Sequence, residues 1–104
     1  MVPSPRPIDI LEKDMILDLI ENHVVIAGGG GGIPTLKTEN GYESVDAVID
    51  KDFTSEKLAE LVDADMLMIV TGVPHVAINY GTPEQEDLTE PTIDFVKEKL
   101  AAGE

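Results

Sequence analysis

Val24-Val25-Ile26-Ala27-Gly28-Gly29-Gly30-Gly31-Gly32-Ile33-Pro34 is the stretch on which the reading of this chain turns. A short β-branched run feeding an unbroken glycine tract reads as a buried strand that ends in a loop of bare backbone. Without a Cβ, glycine reaches positive φ freely, and successive N–H groups can point into one concavity that holds an anion. Five glycines in a row lose much conformational entropy on folding, so the backbone there is expected to lie close to something. A flexible linker is the alternative, but linkers seldom follow directly on a buried-type strand and end in Ile-Pro. The loop is not a Walker loop, because Ile33-Pro34-Thr35 stands where Gly-Lys-Ser/Thr is needed. Nor is it a dinucleotide fingerprint. Counting from Gly28, the sixth position is Ile33, and Pro34 biases that residue away from helix. What remains is an anion-binding loop of another architecture.

Outward from this stretch, the chain reads as alternating helices and strands. Val2-Pro3-Ser4-Pro5-Arg6-Pro7 is an extended leading segment, since its prolines fix φ and remove donors. Apolar residues at Leu11, Met15, Ile16, Leu19 and Ile20 predict a helix within 8–21, with Asp9 as its N-cap. His23, at the end of that helix, reads as structural. Glu39-Asn40-Gly41 between Thr35–Thr38 and Tyr42–Val45 predicts a β-hairpin excursion over 35–46. Phe53, Leu58, Leu61 and Val62 predict a second helix, capped by Asp52 or Thr54. Met66-Leu67-Met68-Ile69-Val70 has the continuous apolar character of a parallel strand buried on both faces, its methionines in the core. Thr71-Gly72-Val73-Pro74 closes it, and Val76–Tyr80 is a further short strand or extended turn. Thr92 is expected to cap a last helix running to Leu100, with Ile93, Val96 and Leu100 inward and Gly103 just past its end.

Together these elements predict an α/β fold, a layered α/β/α arrangement with a largely parallel sheet. Ligands in such sheets lie at the carboxyl ends of the strands, where both the glycine loop and Thr71–Pro74 fall. At 104 residues the chain is one small domain or part of a larger one. It has no cysteine, hence no disulfide framework or thiolate zinc site, which fits a reducing cytoplasm. No apolar run nears the roughly 20 residues of a membrane span. With 21 acidic residues against 7 basic ones, the composition opposes binding to nucleic acid or an anionic membrane. The same imbalance makes each lysine informative. Lys51, between Asp50 and Asp52, is the side chain suited to neutralising charge on a transferring phosphoryl group, with an adjacent carboxylate to hold it. The plainer reading is a helix cap beside an exposed ion pair.

Pro3-Ser4-Pro5-Arg6-Pro7, Val25-Ile26-Ala27 with the glycine tract, Ala47-Val48-Ile49-Asp50-Lys51-Asp52 and Ile69-Val70-Thr71-Gly72-Val73 together resemble carbamate kinase, a member of the amino acid kinase superfamily. The match runs in order along essentially the whole chain, which corresponds to about the middle third of a family member and so to a single, incomplete amino acid kinase domain over 1–104. The resemblance implies a cytoplasmic, homodimeric phosphotransferase. It would interconvert ATP and carbamate with ADP and carbamoyl phosphate, use Mg²⁺, and form ATP in arginine fermentation. It assigns Gly29, Gly30 and Gly31 to the carbamate and transferred phosphoryl group. Lys51 would stabilise the transition state and Asp52 would orient catalytic lysines. Thr71, Gly72, Val73, Asn79 and Tyr80 would lie along the nucleotide, and no metal ligand is assigned. Pro74 stands where family members carry an acidic residue. A non-catalytic remnant or interaction module that keeps the α/β fold is the competing expectation.

Overall fold

The computed structural model describes residues 1–103 and divides the chain into two compact units, Met1–Ile69 and the segment from Val70 onward. The first unit holds helix α1 (Lys13–Ile20), the strands β1 (Thr35–Thr38) and β2 (Gly41–Ser44), and helix α2 (Lys51–Leu61). The second holds β3 (Val76–Ile78), β4 (Glu86–Leu88) and helix α3 (Ile93–Ala101).

The predicted hairpin forms. β1 and β2 pair antiparallel, with Thr35 opposite Ser44 and Thr38 opposite Gly41. Gly41 adopts φ +113°, which the turn requires and other residues resist. β3 and β4 make a second antiparallel pair, with Val76 opposite Leu88 and Ile78 opposite Glu86. β4 carries no strand signal of its own, since Glu86 and Asp87 disfavour strands and the pairing with β3 decides its conformation.

The expected central strands take a different form. Residues 24–27 and 66–70 pair with no strand among the described residues, and both sheets present are antiparallel hairpins. Val24 and Ile26 are each 99% exposed, and Met66 and Met68 lie outside the core where burial was expected. The physical reason is that a parallel strand needs a partner reached by a long crossover connection. These residues supply the apolar edge without that partner.

Helix boundaries also shift. α1 begins after Glu12, whose side chain makes no cap. Asp9, the expected cap, instead accepts the Ile10 N–H at 2.9 Å and pairs with Lys13 at 3.2 Å. These two interactions, the backbone one first, hold its carboxyl below the usual aspartate range. His23 is structural in placement, with ring Nδ1 3.3 Å from the Leu19 carbonyl. α2 is capped by Asp50, whose carboxylate accepts the Asp52 N–H at 2.8 Å, and not by Asp52 or Thr54. Lys51 therefore occupies the first position of the helix. In α3 the cap is Thr92, accepting the Phe95 N–H at 3.2 Å, and Gly103 follows the end with φ +82°. Ile93, Val96 and Leu100, expected inward, are all exposed, while Phe95 and Lys99 are half-buried.

What is buried concentrates in the first unit. Ile16, Thr54 and Gly31 are its most enclosed residues, and Val45, Ala47 and Ile49 are half-buried in alternation with exposed Asp46, Val48 and Asp50. That alternation has the period of a strand with one covered face. It delivers the chain directly into the first turn of α2.

Candidate phosphoryl site

The glycine tract is a turn lodged against the start of α2. The Gly31 N–H donates to the Gly28 carbonyl at 2.9 Å, closing a tight turn over 28–31. Four of the five glycines lie at positive φ, Gly31 at +127°. A Cβ on Gly31 would overlap the Ile49 carbonyl oxygen and would come 3.5 Å from the Lys51 nitrogen. At Gly31, close approach and backbone conformation both exclude a side chain. At Gly29 and Gly30 a Cβ would meet nothing within 4 Å, so this part of the turn faces open space.

The turn is tied down by one side chain. Thr54, only 5% exposed, donates its hydroxyl to the Gly31 carbonyl at 2.7 Å across 23 residues of sequence. Its methyl lies beside Gly28, 3.7 Å from where a Cβ would stand. The glycine turn and the start of α2 thus approach one another at the main chain of Gly31, Ile49 and Lys51. The Lys51 ammonium is 4.0 Å from the Asp52 carboxylate, and both side chains are more than half exposed. A pair that open to water contributes about 0–1 kcal/mol to stability. The ammonium is correspondingly free to turn toward a ligand.

Two features of this region escaped the sequence reading. Thr54 was a candidate cap, and nothing local announces a hydrogen bond to a glycine 23 positions earlier. Arg6 stacks over the Phe53 ring, 4.8 Å from its centroid, while the Val48 N–H donates to the Pro3 carbonyl at 3.0 Å. The proline-rich leading segment therefore runs beside the start of α2. The signal available for it was compositional, a single arginine in an acidic chain.

The residues expected along a nucleotide lie in the second unit. Thr71, Gly72 and Val73 precede β3 in an irregular, exposed segment. Asn79 has φ +52°, and its carbonyl accepts both the Thr82 hydroxyl, at 2.6 Å, and the Thr82 N–H, at 3.1 Å. Tyr80 follows it, exposed. Among the described residues no group of three or more His, Asp or Glu side chains is gathered to hold a metal ion. No helix among them is long and apolar enough to cross a membrane.

Comparison with known proteins identifies relatives for the whole segment. The sequence model described as the amino acid kinase family matches residues 2–103. Carbamate kinase 1 of Enterococcus faecium is 55% identical over 104 residues, covering 99% of this chain and 33% of the relative. Carbamate kinase of Latilactobacillus sakei is 50% identical over 103 residues, covering 94% of this chain and 33% of the relative. Among solved structures, carbamate kinase from Giardia lamblia bound to AMP-PNP superposes with a TM-score of 0.91 at 40% identity, over 99% of this chain and 33% of that one. The chain spans about a third of the length of the curated relatives it matches.

Proposed function

The chain belongs to the amino acid kinase family, and from that premise we propose that it carries the phosphoryl-transfer end of a carbamate kinase together with part of its nucleotide edge. The reaction is the reversible transfer between ATP plus carbamate and ADP plus carbamoyl phosphate. In the ATP-forming direction, a β-phosphate oxygen of ADP attacks the phosphorus of carbamoyl phosphate. The bond from phosphorus to the carbamate oxygen breaks, and carbamate leaves. Such a transfer asks the protein mainly for positioning and charge stabilisation. N–H groups at Gly29 and Gly30 cradle the transferred phosphoryl group and the carbamate, and Gly31, whose own N–H closes the turn, lines the site beside them. The Lys51 ammonium neutralises charge in the transition state, and Asp52 orients it. Thr71, Gly72, Val73, Asn79 and Tyr80 line the nucleotide.

The observation that supports this reading best is the lodging of Gly31 against Ile49 and the first turn of α2, because it sets the glycine turn beside the backbone from which Lys51 projects. A helix start adds a positive dipole end at the same place. Magnesium is carried to such sites by the substrate phosphates with only one or two carboxylates. No carboxylate cluster among the described residues fits it as a resident ion, and no step above is routed through it. The layered, largely parallel sheet, the single domain, the homodimer and the cytoplasmic location belong to this same proposal.

The test uses the 55% identity. The chain replaces the matching third of the Enterococcus faecium carbamate kinase 1, and ATP formation from ADP and carbamoyl phosphate is measured. An active chimera that loses about a hundredfold or more in kcat on Lys51→Ala, with an unchanged circular dichroism spectrum, is the expected result. The isolated chain should be far slower than the chimera, because residues that act as a unit are not additive. A folded but inactive chimera would favour the second reading, a non-catalytic remnant retaining the α/β scaffold. Pro74, in the expected nucleotide edge, is the feature that favours that alternative.

A further inference from the structure

Thr54 is the one buried polar side chain among the described residues; the capping role the sequence suggested for it falls to Asp50, and the proposed chemistry gives it no task. We infer that Thr54 is a positioning residue, whose hydroxyl fixes the 28–31 turn on the first turn of α2 so that the amides of Gly29 and Gly30 are presented to an anionic phosphoryl ligand. This role rests on the phosphoryl-site reading above, and it adds a residue to that site.

The geometry leaves little else for the hydroxyl to do. A threonine inside a helix commonly bonds back to the carbonyl four residues earlier. Here that acceptor, the Asp50 carbonyl, lies 3.3 Å away and already receives the Thr54 N–H at 3.0 Å. The Gly31 carbonyl lies at 2.7 Å. One hydroxyl proton serves one strong bond, and the shorter contact takes it. No other hydrogen bond to the Gly31 carbonyl is formed among the described residues, so without the hydroxyl the carbonyl of a buried residue is left unpaired. The Thr54 methyl beside Gly28 supports the other end of the same turn, whose closing bond runs from the Gly31 N–H to the Gly28 carbonyl. Thr54 therefore braces both ends of the turn from beneath, while Gly29 and Gly30 remain open. A loop of five glycines has no side chains with which to hold itself in place. The brace has to come from a neighbour.

The experiment compares the chain with its Thr54→Val and Thr54→Ser variants. Valine keeps the branched shape and a similar helix propensity without the hydroxyl, and serine keeps the hydroxyl without the methyl. Amide hydrogen exchange is read by NMR at 28–32 and along α2, and inorganic phosphate is titrated against the amides of Gly29 and Gly30. In Thr54→Val, exchange at Gly31 should rise about tenfold and phosphate affinity should fall about tenfold, with exchange in the later turns of α2 unchanged. Thr54→Ser should restore both to within about twofold. In the chimeric enzyme, Thr54→Val should raise KM for carbamoyl phosphate while leaving KM for ADP unchanged. Unaltered Gly31 exchange in Thr54→Val overturns the brace. Faster exchange with unaltered phosphate affinity and unaltered KM overturns its positioning role. If the unmodified chain and the chimera both fail to engage phosphate or carbamoyl phosphate, the phosphoryl-site reading fails, and Gly31 exchange still decides whether Thr54 braces the turn.

Discussion

At the scale of single residues, the glycine tract is not uniform, and its members make different predictions. Gly31 sits at φ +127° with the Ile49 carbonyl where a Cβ would go, so Gly31→Ala must move backbone on one side or the other. We expect a loss of about 2 kcal/mol or more in urea unfolding, from backbone strain and displacement of the turn from α2. Gly30 is not at positive φ and has open space around it. Gly30→Ala should change stability by no more than about 0.5–1 kcal/mol, in either direction. Equal losses at the two positions would contradict the lodged turn. The distinction was invisible in the sequence, where five identical letters carry one meaning. What the sequence did carry was the need for bare backbone close to something, which at Gly31 is the Ile49 carbonyl. It could not carry Thr54, because a hydrogen bond spanning 23 residues depends on how the segment 45–49 brings α2 under the turn.

At the scale of elements, what was legible follows the range of the interaction. The hairpin over 35–44 was readable because Asn40-Gly41 encodes its own turn, and α3 because Thr92 and Gly103 mark its two ends. α2 was readable as a helix, but its start was placed two residues or more too late. Asp50, Asp52 and Thr54 are all residues that cap helices, and the choice among them belongs to the incoming chain. With Asp50 as the cap, its carboxylate satisfies the Asp52 N–H and its carbonyl the Thr54 N–H. Asp50→Ala should therefore cost about 1 kcal/mol, while Asp50→Asn should recover most of it. Asp52→Ala should have little effect on stability, since the Asp52 side chain is exposed and its only ion pair among the described residues is the long one to Lys51. A larger loss for Asp52→Ala than for Asp50→Ala, in thermal unfolding followed by circular dichroism, would return the cap to the position the sequence suggested. Strand signals at 24–27 and 66–70 were of another kind. They recorded how apolar a segment is, not which strand it pairs with.

At the scale of the whole molecule, those two runs decide what the chain is for. Val24 and Ile26 at 99% exposure and Val70 at 90% are hard to reconcile with a finished surface, because apolar area left in water forgoes about 25 cal/mol per Å² of stabilisation. Their unpaired N–H and C=O groups also form edges open to pairing. In relatives about three times as long, segments outside this one can supply the missing neighbours. On that reading Ile26 and Met68 have opposite characters in two settings. In the isolated chain, Ile26→Lys and Met68→Lys should lower binding of a hydrophobic dye and raise solubility, with the helical circular dichroism signal unchanged. In the chimera with the Enterococcus faecium enzyme, the proposed layered sheet would have the same substitutions bury a charge between its covered faces. There each should cost several kcal/mol and abolish ATP formation from carbamoyl phosphate. The paired measurement separates a sheet completed by other segments from an exposed surface that stays exposed. If the chimera tolerates Ile26→Lys with its melting temperature and turnover intact, Val24–Ala27 is not an interior strand, and the layered parallel sheet proposed for the family-length molecule does not include it.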